Sequence, residues 1–150
     1  MKRAETLRIL DANFNRSREG LRVCEEIARF VLADEALTRD LKGARHAVSA
    51  CLSALPLAEL VAARDIRSDV GKGASSLERG RSGARGLFLA NSQRAKESLR
   101  VLEEVSKIFG GEIPARFKRI RFKVYELEKR ALSKLETVRD RRRGRRRRPA

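Results

Sequence analysis

The chain has 150 residues, 37% of them charged and 5% aromatic, with a formal net charge of +16. That length supports one domain with a core of its own, without disulfides or a structural metal. Two cysteines and one histidine fall short of a zinc site, and no apolar run is long enough to span a membrane.

In chain order, a first helix is predicted over residues 5–32, with Gly20 as its one internal glycine. Asp34 is a plausible cap for a second helix, which runs to Leu55 before Pro56 interrupts it. Leu57 to Ala63 adds a short helical turn, and the glycines and serines of 64–82 read as a loop. A third helix spans 83–109 and stops at Gly110-Gly111. Pro114 suits the first turn of a fourth, which should run to Val138. Residues 139–150 hold eight arginines against Asp140 alone, a like-charged run expected to be disordered.

Two stretches repeat. Residues 12–27 read ANFNRSREGLRVCEEI and residues 90–105 read ANSQRAKESLRVLEEV, in constant register. A weaker echo pairs 41–48 with 117–124, so that Arg45 matches Arg121. Helices of this length joined by short connections imply an all-α protein, an antiparallel bundle of two duplicated helical hairpins. The hairpins cover about 5–55 and 83–138, joined by 56–82, so the domain is 1–138.

Residues eleven apart share nearly the same helical azimuth. Asn13, Arg16 and Glu19 therefore align with Cys24, Ile27 and Phe30, and Asn91, Arg94 and Glu97 with Leu102, Val105 and Ile108. Both Asn-x-x-Arg-x-x-Glu stripes are expected to face one shared polar pocket, because buried polar groups need partners or a ligand. Arg22, Glu25 and Glu26, with Arg100, Glu103 and Glu104, are expected on the opposite face as surface ion pairs. Arg45 and Arg121 are either inward anion ligands or solvated. In the loop, Asp65 and Asp69 are hard oxygen ligands of the kind that hold magnesium. Arg64 and Lys72 are candidate phosphate contacts, with Gly71 and Gly73 leaving room for an anion near the backbone.

The ordered set Arg8-Ile9-Leu10-Asp11-Ala12-Asn13, Arg16, Glu19-Gly20-Leu21-Arg22-Val23, Arg45, Ala63-Arg64-Asp65, Asp69-Val70-Gly71, Ala90-Asn91, Arg94, Glu97 and Arg121 with Tyr125 and Glu128 resembles the monofunctional hydroxymethylpyrimidine-phosphate kinases. That domain is often fused in front of thiamine-phosphate synthase. The resemblance implies ATP-dependent, magnesium-assisted phosphorylation of 4-amino-5-hydroxymethyl-2-methylpyrimidine phosphate to the diphosphate for thiamine synthesis. Under it, Arg16, Arg64 and Arg94 clamp phosphates, and Asp65 and Asp69 hold magnesium. Asn13, Glu19, Arg45, Gly71, Asn91, Glu97 and Arg121 bind substrate or nucleotide. The chain departs from the family pattern at Lys72-Gly73-Ala74-Ser75 and at Ser92-Gln93. Two rival readings are a non-catalytic helical module that partners thiamine-phosphate synthase and a basic RNA-associated protein; under the kinase reading nucleic acid is contacted only weakly, through the tail. A cytoplasmic location is expected, with no membrane partner and the oligomeric state open.

Overall fold

A computed structural model describes residues 1–53, 55–65 and 83–145, with the backbone alone for Leu57 and 138–145. The elements are α1 (Arg3–Phe30), α2 (Glu35–Leu52), α3 (Leu57–Ala62), α4 (Gly83–Val105), a 3-10 turn (Ser106–Phe109) and α5 (Ile113–Arg145). No strand occurs among the described residues, and the architecture is the all-α bundle expected. None of these helices is long and apolar enough to cross a membrane.

Helix ends follow local chemistry. The Lys2 amide donates to Glu5 Oε2 at 2.8 Å, satisfying one orphan donor at the start of α1. Asp34 caps α2 by accepting from the Leu37 amide at 2.9 Å, and the Lys134 ammonium donates to the same side chain. Both groups hold the Asp34 carboxyl below its usual range, the amide contributing most. The turn after α4 needs two residues in the left-handed region, Gly110 at φ 70° and Gly111 at φ 72°, where a Cβ would be strained. Helix α5 runs on through Arg145 instead of ending near 138, so the basic tail begins as helix.

The four long helices enclose one core. From α1 come Leu7, Leu10, Phe14, Leu21 and Cys24, and from α2 Leu37, Leu41 and Val48. Phe88, Leu99 and Leu102 of α4 face Phe117, Val124, Leu127 and Leu135 of α5. Phe14 and Phe117 meet edge to face with ring centroids 5.7 Å apart, tying the first half to the second. The broadest seam is α1 against α4, which are the first helices of the two repeats. Gly20 sets their approach: a Cβ there would lie 2.6 Å from the Asn91 carbonyl oxygen and 3.4 Å from Ala95 Cβ. The turn of α4 that carries Asn91 and Arg94 therefore crosses α1 at Gly20.

Candidate functional site

The duplicated motif builds the same ion-paired cluster twice. In the first half, Arg45 Nε donates to Glu25 at 2.9 Å, while Arg22 reaches Glu25 at 3.2 Å and Glu26 at 2.5 Å. In the second, Arg121 donates Nε and Nη2 to Glu103 at 3.0 and 2.8 Å, and Arg100 bridges Glu103 and Glu104, each at 2.9 Å. The Glu25 and Glu103 side chains are only 6% and 8% exposed. The expectation that these glutamates sit on the solvent face is therefore corrected: each turns toward the following helix and takes an arginine with it. The hydrogen bond from Arg121 to Glu103 raises the guanidinium pKa, opposed by desolvation. Arg121 also lies 5.1 Å from the Phe122 ring and 5.9 Å from that of Tyr125. Arg45 and Arg121 are thus each paired with a buried glutamate and not simply solvated.

The Asn-Arg-Glu stripes behave differently from the expectation of an enclosed pocket. Asn13 and Asn91 are buried, and each amide donates back one turn, to Ile9 O at 2.9 Å and Leu87 O at 2.8 Å. Arg94 is half-buried, whereas Arg16, Glu19 and Glu97 are exposed. Glu97 accepts from Gln93 at 2.7 Å. Each three-residue step falls about 60° short of a full turn, so the stripe rotates out of the core from Asn to Glu. The alignment with Phe30 and Ile108 misled because those residues are themselves 69% and 60% exposed. The asparagines belong to the buried part of the bundle, and the charged members stand at or beyond its edge.

The halves also diverge. In the second, Ser92 Oγ donates to Glu128 Oε1 at 2.5 Å, and Lys96 donates to Glu128 Oε2 at 2.7 Å while its ammonium lies 5.1 Å from the Tyr125 ring. The repeat matches Ser92 with Phe14, Lys96 with Arg18 and Glu128 with Leu52, so the first half lacks this cluster. There Asn15, Arg18, Glu19, Arg22, Val23 and Arg45 line an open cleft along α1 and α2.

Three ion pairs tie α3 and the residues after it to α1. Arg3 meets Glu59 at 2.9 Å, Arg8 meets Asp65 at 3.6 Å, and Arg64 forms a bidentate pair with Asp11 at 2.6 and 2.8 Å. Hydrogen bonding to Asp11 raises the Arg64 guanidinium pKa. Arg64, expected as a phosphate clamp, thus presents two of its donors to Asp11, a buried carboxylate that the sequence reading missed. Asp11 has no acidic counterpart in the second copy, where Leu89 stands, so the repeat gave no signal for it. Asp69, Gly71, Lys72 and Gly73 lie outside the described residues. Among the described residues no group of three or more His, Cys, Asp or Glu side chains is placed to hold a metal. Asp65, expected on magnesium, stands 3.6 Å from Arg8 as an exposed pair, and its expected co-ligand Asp69 is among the residues not described.

A helical bundle with two copies of an Arg-Glu-Arg cluster around a buried glutamate, and one half re-equipped with a Ser-Glu-Lys cluster, defines the class. The chain belongs to the ThiD2 family, whose model matches residues 8–130. It is 40% identical over 120 residues to a thiamine-phosphate synthase of Rhodopirellula baltica, covering 79% of this chain and 32% of that protein. It is 43% identical over 122 residues to a thiamine-phosphate synthase of Synechocystis, covering 81% of this chain and 34% of that protein. The chain thus spans about a third of the length of the curated relatives it matches. No solved structure matches.

Proposed function

We propose that this chain serves thiamine biosynthesis as a helical domain working beside thiamine-phosphate synthase. The observation that carries this reading is the identity of about 40% running along nearly the whole bundle to one third of proteins bearing that name. Within that role, the finer reading is phosphorylation of hydroxymethylpyrimidine phosphate to the diphosphate, with ATP as its magnesium complex the donor. A phosphate oxygen of the acceptor would attack the γ-phosphorus as the bond to ADP breaks, a transfer that needs cations and positioning more than a general base. Arg16 and Arg94, one on each central helix, are the proposed cations. The buried Asn13 and Asn91 keep their side-chain carbonyl oxygens for an aminopyrimidine or ribose donor.

The competing reading is a non-catalytic module that docks the synthase, and the names of the relatives favour it. The deciding experiment is turnover of ATP and hydroxymethylpyrimidine phosphate, followed by 31P NMR for the diphosphate. Kinase action predicts product from the wild type, at least a tenfold loss in Arg94→Ala and loss in Asp69→Ala. A folded but inactive wild type that still binds thiamine-phosphate synthase would establish the module instead.

A further inference from the structure

We propose that the cleft along α1 and α2 seats a phosphate-type oxyanion, with Arg18 as its principal ligand. The two kinase arginines, Arg16 and Arg94, are not part of this seat, and it would hold under either functional reading. The case comes from comparing the halves position by position. Arg45 opposite Glu25 fixes the register of α1 against α2, and Arg121 opposite Glu103 fixes that of α4 against α5. Two turns away from each pair stand Arg18 with Leu52 and Lys96 with Glu128. In the second half the cation is neutralised from within, since Lys96 is 11% exposed and held by Glu128. In the first half the matching carboxylate is replaced by the side chain of Leu52, which is partly buried against the core. Arg18 Nε is buried there without a hydrogen-bond partner among the described residues. A buried guanidinium N–H without an acceptor is unfavourable, and an anion entering the cleft would supply the oxygen that Glu128 supplies to Lys96.

The neighbours fit such a guest. Arg45 gives Glu25 only its Nε, whereas Arg121 gives Glu103 both Nε and Nη2. The terminal nitrogens of Arg45 can therefore turn to the cleft, and the Asn15 amide adds a neutral donor. Arg22 is held by Glu25 and Glu26 and contributes mainly its charge. Donors converging from two helices suit a tetrahedral phosphate better than a planar carboxylate. Glu19 stands exposed at the rim and opposes an anion, so Glu19→Gln should tighten binding.

The test is titration of the full chain with inorganic phosphate at constant ionic strength, read by NMR at the arginine Nε–Hε groups. The resonance of Arg18 should shift saturably, while exposed Arg29 follows the weak, unsaturated drift of the basic tail. Arg18→Gln should weaken the phosphate response of Arg45 at least tenfold. Leu52→Glu, which restores the counter-ion of the other half, should do the same while circular dichroism stays helical. Parallel arms with hydroxymethylpyrimidine phosphate and with ATP identify whether a monoester or a nucleotide brings the phosphate, and saturation in either supports the seat. An Arg18 resonance that moves no further than that of Arg29 in all three arms would overturn it. So would an undiminished Arg45 response in folded Leu52→Glu. Neither result depends on whether the protein turns over ATP.

Discussion

Glu25 and Glu103 show how a charged residue is read from its place on a helix. Glu25 lies eighteen residues after Leu7, five whole turns at 3.6 residues each, so it shares the azimuth of a core leucine. Glu103 likewise follows the buried Leu99 by one turn. That signal was in the sequence beside the repeated arginines, but the side-chain types suggested surface. Removing one partner of such a pair leaves an uncompensated charge. Glu25→Leu, which abandons an Arg45 side chain only 17% exposed, should cost about 3 kcal/mol, near the lower end for a broken buried pair. Urea unfolding measures it, and the double variant Glu25→Leu with Arg45→Leu should recover most of the loss. An additive double variant would mean the two side chains act independently.

At the scale of the element, boundaries were legible wherever a side chain or a glycine enforces them. Asp34 caps α2 and Gly110-Gly111 ends the helical run through Phe109, as read. The end of α5 was not legible from charge alone. Arginine is a good helix former, and no proline or glycine stands between Val138 and Arg143, so helix continues to Arg145, past Gly144, where like-charge repulsion suggested disorder. Helix pairing was the least legible, because the approach of α1 to α4 depends on a single missing Cβ. Gly20→Ala should therefore destabilise by about 1–3 kcal/mol through backbone displacement, despite the better intrinsic propensity of alanine. Gly43→Ala, in α2 with nothing within 4 Å of its Cβ, should stabilise by up to about 1 kcal/mol. Thermal melts of the two variants should move in opposite directions, and equal shifts would show that Gly20 does not limit the crossing.

For the whole molecule, the duplication was legible because two copies in register leave little room for chance. Which half holds which polar cluster was not, since Ser92, Lys96 and Glu128 acquire meaning only once α4 and α5 are packed. Both cysteines, Cys24 and Cys51, are buried and free. Burial pushes the Cys24 thiol up to about 12, with Glu128 adding to the shift and Lys96 opposing it. Its thiol is thus protonated at pH 8 and sits at the centre of the bundle. Labelling by a thiol reagent at that pH should proceed only when the fold opens, so Glu25→Leu, destabilising by about 3 kcal/mol, should accelerate it by on the order of a hundredfold. Rapid labelling of the native wild type, independent of that substitution, would place the opening locally at α1.

The dominance of the α1–α4 seam has an evolutionary consequence. If each hairpin spends its largest apolar face on the other, a single ancestral hairpin would have been stable only as a symmetric homodimer. Fusing two copies into one polypeptide released them from identity, so that one partner could keep an aromatic interior at Phe14 while the other specialised at Ser92. Coexpressed fragments 1–65 and 83–145 should then reassemble as a one-to-one heterodimer.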